Sequence, residues 1–114
     1  MAKIELQAEQ SEDLLRIIEV VKQNGKIKKG TNEVTKAAER STAKAIIIAT
    51  DVNPAEIVMH IPLICEEKNI PCFTAGTKEE LGAAAGLSVG TTAIAITEEG
   101  NAKDDLKKFL DSVQ

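Results

Sequence analysis

The side chains best able to do chemistry are gathered around Gly30. Glycine lets a ligand approach the backbone closely, and a helix that begins at Asn32 directs free N–H groups towards an anion. Asn32, Lys36 and Arg40 are spaced by four residues, and Glu33 precedes Lys36 by three. Residues three and four apart are neighbours on a helix surface. One helix face therefore combines an amide, a carboxylate, an ammonium and a guanidinium group.

Two interpretations of this face are open. In the first, the amide and the carboxylate read base edges, with the carboxylate accepting from guanine N1–H and N2–H₂, while the cations meet phosphates. In the second, the face is structural. Asn32 caps the helix, and Glu33 forms an intrahelical ion pair with Lys36 that contributes only about 0.2–0.5 kcal/mol.

The charge distribution is compatible with a polyanionic partner, although the total charge is not. The 114 residues carry 14 basic and 18 acidic side chains, for a formal net charge of −4. Residues 22–44 alone contain seven basic and two acidic side chains. A local basic patch steers polyanions more than the total charge does, but a basic run is also often only a solvated surface around a turn.

Other candidate sites have little support. Residues 25–31 have the glycine spacing of a phosphate-binding P-loop, but Thr31 stands where that loop needs lysine. His60, the only histidine, lies between apolar neighbours, which favours a structural role. Cys65 and Cys72 have no adjacent base in the sequence and fit no zinc spacing. We therefore expect no catalytic residue, no metal and no cofactor.

Composition is typical of a globular protein, with 43% hydrophobic and 28% charged residues. The longest strictly apolar run, residues 45–49, is far too short to cross a bilayer, and no secretory h-region is visible. Two cysteines without a recognisable framework suggest a reducing compartment. We expect residues 1–114 to form a single domain of a cytoplasmic protein that is monomeric when free.

Apolar periodicity predicts alternating helices and strands. Leu14, Ile17, Ile18 and Val21 form a helical stripe after a possible N-cap at Ser11. The predicted strands cover residues 26–29, 44–50, 72–75 and 92–96. The first two predicted helices cover residues 11–24 and 32–40. The third starts at Pro54 and is kinked or divided by Pro62. The fourth is capped by Thr77 and ends at Gly86, and the fifth lies at the C-terminus. Such alternation indicates a sheet covered by helices on both faces, a three-layer α/β/α sandwich.

Residues 30–36, Gly-Thr-Asn-Glu-Val-Thr-Lys, resemble the RNA-binding signature of the L7Ae ribosomal protein family, which binds kink-turn RNA. The resemblance continues through residues 45–58 and 60–71, and through the shorter segments 78–82 and 85–87. The resemblance covers nearly the whole chain. In length and character the chain is similar to the archaeal branch of the family. The resemblance implies an α/β/α sandwich with a mixed four-stranded sheet.

The resemblance also implies a ligand, a sharply bent RNA built on tandem sheared G·A pairs, and a role for each matching residue. In the family, the matches to Asn32 and Glu33 read the guanines of those pairs, and the match to Lys36 contacts guanine and nearby backbone. The matches to Lys29, Gly30, Thr31 and Arg40 contact backbone. The matches to Asn53, Ile57 and Lys78 form the pocket around a flipped-out nucleotide, and those to Leu87, Ser88 and Val89 form a loop that packs on extruded bases.

Four features depart from the family pattern. Ser88 stands where archaeal relatives often carry Glu, Gly90 where Pro is common, and Asn53 where an acid is frequent. Residues 73–76 differ from the usual aromatic-Val-Pro strand. These departures bear on the loop and the pocket rather than on the G·A readout.

The expected function is that of a non-enzymatic kink-turn binder. Family members of this type act in the large ribosomal subunit, in box C/D and H/ACA guide RNA particles and in ribonuclease P, where other protein subunits follow them. One alternative is a narrower ribosomal or regulatory kink-turn binder with no guide-RNA role. Others are a small-molecule α/β enzyme that uses Asp51, Asn53 and His60 at strand ends, and a module whose basic patch binds an acidic protein.

Overall fold

The structure is a computed structural model that describes residues 4–5, 8–52 and 59–113. Within these ranges helices and strands alternate, as predicted. The helices are α1 (Ala8–Asn24), α2 (Thr31–Glu39), α3 (His60–Lys68), α4 (Lys78–Ala84) and α5 (Lys103–Val113), with a 3-10 turn at Gly100–Ala102. The strands are β1 (Ile4–Glu5), β2 (Lys26–Lys29), β3 (Ala45–Ile48), β4 (Cys72–Thr74) and β5 (Ala93–Glu98).

The sheet is mixed, with the strand order β1-β4-β3-β5-β2. Strand β4 is parallel to β1 and β3, whereas β5 is antiparallel to β3 and β2. The four predicted strands and the mixed sheet are confirmed. The two-residue β1 extends the sheet at one edge, where Ile4 pairs with Phe73. The other edge is β2, whose lysines discourage pairing with a further strand.

Successive residues of the central strands point to opposite faces of the sheet, so each strand contributes to two cores. On one face, Ile47, Phe73 and Ile94 pack with α1, α4 and α5. On the other face, Ile46 and Ile48 pack with α2 and α3. All four residues of β3 are buried, as expected of a central strand. The predicted three-layer α/β/α sandwich is confirmed.

Helix α1 begins at Ala8, three residues before the predicted N-cap Ser11. The prediction of Ser11 as N-cap is wrong because Ala8, Glu9 and Gln10 favour helix and extend it towards the N-terminus. The predicted apolar stripe is confirmed, since Leu14, Ile17, Ile18 and Val21 are the buried residues of α1.

Helix α3 is continuous from His60 to Lys68, so the predicted division into two helices at Pro62 is wrong, while a kink there stays a prediction. Pro62 is the third residue of α3, where a backbone N–H has no acceptor within the helix and proline is tolerated. Asn69 ends α3 in the left-handed conformation at φ 59°. Pro54, the predicted start of this segment, lies outside the described residues.

Helix α4 has the predicted N-cap. The Thr77 hydroxyl accepts from the Glu80 N–H, and the Glu80 carboxylate accepts from the Thr77 N–H, which together form a capping box. This reciprocal pair fixes the position of Lys78, the first residue of the helix. In the described part of the chain, no helix is both long enough and apolar enough to cross a membrane.

Candidate nucleic-acid interface

A glycine turn joins edge strand β2 to α2 and sets the position of the first group of candidate residues. The Gly30 N–H donates to the Ala93 carbonyl at 3.0 Å, and the Gly30 carbonyl accepts from the Val34 N–H at 3.0 Å. Gly30 has φ 90° and ψ 156°. A β-carbon built on it would have no heavy atom within 4 Å. The backbone at Gly30 is therefore unusual in conformation and open towards a ligand.

We expect Gly30→Ala to lower the free energy of unfolding by about 1–3 kcal/mol, because this backbone conformation is essentially restricted to glycine. Urea denaturation measures the change. Asn32→Ala is the control, since that side chain is exposed and has no described contact to lose. Equal midpoints for Gly30→Ala and wild type would contradict the prediction.

Helix α2 begins at Thr31, one residue before the predicted start, and Gly30 is its N-cap. Asn32 is therefore the second residue of the helix and does not cap it, so that part of the structural interpretation is wrong. The cause is the Gly30 carbonyl, which already accepts the first bond of the helix from Val34. Asn32 is exposed, and no described residue hydrogen-bonds its side chain. Its amide donors and acceptor remain available to a ligand.

Glu33 and Lys36 form the predicted i,i+3 ion pair. The Lys36 Nζ lies 3.9 Å from the Glu33 Oε1, and the side chains are 57% and 53% exposed. An exposed pair at this separation adds little stability. Breaking this ion pair therefore costs little free energy, and both side chains can turn to a ligand instead.

Threonine hydroxyls tie the start of α2 to its neighbours. The hydroxyls of Thr31 and Thr92 lie 2.7 Å apart. Thr35 donates its hydroxyl hydrogen to the Thr31 carbonyl at 2.7 Å, so it accepts from His60 Nε2 at 2.9 Å. His60 therefore carries a hydrogen on Nε2 and connects α3 to α2, which agrees with the predicted structural role.

Lys78 belongs to the same end of the sheet. Its backbone N–H donates to Asp51 Oδ1 at 2.8 Å, and its carbonyl accepts from the Thr91 N–H at 3.0 Å. Because Thr91 directly precedes Thr92, the start of β5 lies between the start of α4 and the start of α2. The structure thus brings Lys78 to the same edge as Thr31, although they are far apart in sequence.

The loop of Leu87, Ser88 and Val89 follows α4 at this edge. The Leu87 N–H donates to the Gly82 carbonyl at 2.8 Å. A β-carbon on Gly82 would lie 2.2 Å from the Val89 carbonyl oxygen, so only glycine permits this approach. Val89 is 69% exposed. Gly82 is therefore a packing residue, and Val89 presents an apolar side chain to solvent.

The remaining candidates have different placements. Lys29 is exposed at the end of β2, beside Gly30. Arg40 is exposed at the opposite end of α2. At 1.5 Å per residue, it lies about 13 Å along the helix axis from Thr31. Asn53 and Ile57 lie outside the described residues.

Sequence reasoning missed Asp51 as the carboxylate that holds the start of α4, and Thr92 as the partner of Thr31. Each contact joins residues that are distant in sequence, and no local pattern signals such a pairing. The buried Cys65 and Cys72 are also partners: a thiol hydrogen bond from Cys72 lowers the pKa of Cys65, and burial opposes that effect. Across the described ranges, no cluster of three or more His, Cys, Asp or Glu residues is placed to hold a metal ion.

Comparison with known proteins identifies the family. The model of the ribosomal protein L7Ae/L30e/S12e/Gadd45 family matches residues 12–106, which extend from α1 into α5. The solved structure of the Giardia lamblia 15.5kD RNA binding protein is similar, with a TM-score of 0.87 and 34% sequence identity over 95% of this chain and 90% of that chain. This chain, with its glycine turn, exposed Asn32 and α/β/α architecture, belongs to the ribosomal protein L7Ae/L30e/S12e/Gadd45 family.

Proposed function

We propose that this protein recognises kink-turn RNA through its tandem sheared G·A pairs and holds that RNA in the bent form. The family and the 34%-identical RNA-binding neighbour indicate a non-enzymatic RNA-binding protein of ribonucleoprotein particles. One observation carries the finer proposal. Asn32, with no described hydrogen-bond partner, stands beside Glu33 and Lys36 on the exposed face of α2, at the edge where Lys78 also lies.

These groups match the chemistry of a guanine outside a Watson–Crick pair. Such a guanine presents N1–H and N2–H₂, and the Glu33 carboxylate accepts hydrogen bonds from both. The Asn32 amide can both donate a hydrogen bond to the base and accept one from it. Lys36, Lys29 and Arg40 supply positive charge for the adjacent phosphates. Glu33 lowers affinity for phosphate in general, and base reading accounts for a carboxylate on this basic face better than its weak 3.9 Å ion pair with Lys36 does.

The loop and the start of α4 form the second part of the proposed interface. Leu87 and Val89 offer apolar surface on which extruded bases pack, and Lys78 contacts the flipped-out nucleotide. Shape, base edges and an apolar loop replace aromatic stacking platforms, which a chain with only two aromatic residues does not supply. Asn53 and Ile57 complete the nucleotide pocket in this proposal.

The mechanism we propose is selection of one RNA conformer. Free RNA samples straight and bent forms, and a protein that binds only the bent form shifts the population towards it. Other subunits then dock on the shaped RNA. We propose that residues 1–114 act as a single kink-turn RNA-binding domain of the archaeal type. Its proposed setting is cytoplasmic, as a component of the large ribosomal subunit, of box C/D and H/ACA guide RNA particles and of ribonuclease P, and it is a monomer when free.

The small-molecule enzyme alternative gains no support from the geometry. The Asp51 carboxylate accepts from the backbone of Lys78, and His60 is hydrogen-bonded to Thr35. The two side chains are thus engaged with different structural partners.

Binding of one kink-turn RNA, followed by gel shift or calorimetry in Mg²⁺-free buffer at fixed salt, tests the proposal. The control is the same RNA with its sheared G·A pairs changed to Watson–Crick pairs. Strong binding that collapses with the control RNA is the expected result. Weak binding to both RNAs would overturn the proposal and point to Asn53, Ser88 and Gly90 as the changes that altered the ligand.

We expect Lys29→Ala to weaken binding of kink-turn and duplex RNA by similar factors, because a lysine that meets phosphate carries no sequence information. The slope of log Kd against log salt should fall by about 0.7–0.9 for the lost contact. Lys108→Ala, on α5 across the sheet, is the charge-matched control and should leave both affinities unchanged. Loss confined to the kink-turn RNA would contradict this division of roles.

A further inference from the structure

Six cations line two grooves that continue from the proposed recognition residues. The first groove, of about 240 Å³, runs between α2 and the edge strand β2. Its cations are Lys28, Lys36 and Arg40, and Glu33 lies at its wall. The second groove, of about 220 Å³, lies between the start of β3 and α5. The cations of this second groove are Lys44, Lys103 and Lys107, with Glu99 beside them.

The two grooves adjoin at the end of the sheet where β5 finishes. Thr97 lines the first groove and Glu99, two residues later, lines the second. The chain also crosses between them from Thr42, in the first groove, to Lys44, in the second. The Lys44 N–H donates to the Ile96 carbonyl at 2.6 Å, which fixes this crossing next to Thr97. The cations therefore line two neighbouring grooves at this end of the sheet, one beside α2 and one beside α5.

These positive charges have few internal partners. Lys36 has a described carboxylate within 4.0 Å, in Glu33, and the other five cations have none among the described residues. Lys26, near the first groove, is already paired with Glu98 at 3.7 Å. In a chain with more acidic than basic residues, five such cations on adjoining grooves form a local positive field that favours an anion.

Lysine and arginine must hold that anion, because the groove hydroxyls are already used as donors. The Thr42 hydroxyl donates to the Ala37 carbonyl at 3.2 Å, and the Thr97 hydroxyl donates to the Lys26 carbonyl at 3.2 Å. A row of lysine and arginine side chains suits a chain of phosphates, because it presents positive charge and N–H donors at intervals along the groove. Because Glu33 and Lys36 line the first groove, the same RNA is the anion that this groove is placed to receive.

We propose that Lys28, Lys36, Arg40, Lys44, Lys103 and Lys107 form a basic track for the phosphate backbone of the RNA stem that continues from the G·A pairs. This inference rests on the proposed function, because α2 both reads the pairs and begins the track. It adds a contact with the flanking stem, so that affinity depends on stem length as well as on the motif.

Three RNAs with the same kink-turn test the track. One has two short stems, one has a long stem on the G·A side, and one has a long stem on the other side. We expect wild type to bind the second about tenfold more tightly than the first at 0.1 M salt, with a steeper salt dependence. The third RNA should bind like the first.

The double variant Lys103→Gln/Lys107→Gln should lose most of this preference and keep its affinity for the short RNA. Its salt slope on the long RNA should fall by about 0.7–0.9 per contact. The matched control is Lys68→Gln/Lys108→Gln, which removes the same charge elsewhere and should retain the preference. Thermal unfolding checks that both variants fold like wild type.

The outcomes separate the track from the proposed function. Equal affinity of wild type for the short and long RNAs, or a double variant that keeps the preference, would overturn the track alone if G·A selectivity remains. Strong binding after the G·A pairs are changed to Watson–Crick pairs would overturn the proposed function itself, and the track with it.

Discussion

We expect Glu33→Ala to lose most of the preference for kink-turn RNA over its Watson–Crick control. The Glu33 carboxylate accepts two hydrogen bonds from guanine in our proposal, and a bidentate base contact discriminates by about 1–3 kcal/mol, or a factor of about 5 to 150 in Kd. Its removal also releases Lys36 from the 3.9 Å ion pair and takes a negative charge off the RNA face. The variant should therefore lose affinity for the kink-turn and gain a little for the control duplex.

Glu39→Ala provides a matched comparison. Glu39 is the last residue of the same helix and is exposed, and its replacement changes the net charge by the same amount as Glu33→Ala. It should leave the selectivity intact, because it lies about two turns of helix beyond Glu33. Competition titrations with both RNAs give the selectivity ratio directly. A Glu33→Ala variant that loses equal affinity for motif and duplex would show that Glu33 acts on the fold or the charge and does not read a base.

Phe73→Ala should lower the free energy of unfolding by about 3–5 kcal/mol, which is the usual cost of removing a fully buried aromatic side chain. Phe73 is 0% exposed on β4, between β1 and β3, and belongs to the core that α1, α4 and α5 cover. Typical domains are stable by only about 5–15 kcal/mol, so this change removes a large share of the total. Urea or thermal unfolding measures it.

The same experiment can isolate the aromatic contact. The rings of Phe73 and Phe109 are 5.6 Å apart at 72°, an edge-to-face arrangement. A double-mutant cycle with Phe109→Ala should give a coupling of about 0.5–1.5 kcal/mol. Phe109 is 7% exposed and lies nearer the surface, so its single variant should be less destabilised than Phe73→Ala. The reverse order, or a Phe73→Ala effect below about 1 kcal/mol, would contradict the placement of Phe73 at the centre of the core.

Local patterns accounted for most of the elements. Residues 46–48 predicted a strand buried on both faces, and all of β3 is buried. Thr77 was the predicted N-cap of α4, and the structure confirms it. The errors lie at helix ends, at Ser11, Asn32 and Pro62. Helix boundaries depend on which of several adjacent residues meets a hydrogen-bond partner, and propensity differs little between neighbours.

The recognition face of α2 was also accessible from the sequence, because residues three and four apart necessarily share a helix face. The role of Asn32 could not be read from the sequence. Its amide was equally consistent with a cap and with a ligand contact until the structure placed Gly30 at the N-cap. A difference of one residue in the helix start excluded the capping role and left the Asn32 amide available to a ligand.

What the sequence determined by itself is the periodicity of each element, the basic segment of residues 22–44 and the resemblance to an RNA-binding family, since all three are properties of neighbouring residues. Only the tertiary structure decided that Thr31 meets Thr92, that Lys78 joins them through Thr91, and that lysines of α5 line a groove together with Lys44. Those contacts depend on strand order and on helix packing against the sheet. Such long-range choices are set by burial of the whole core, and no local stretch of sequence encodes them.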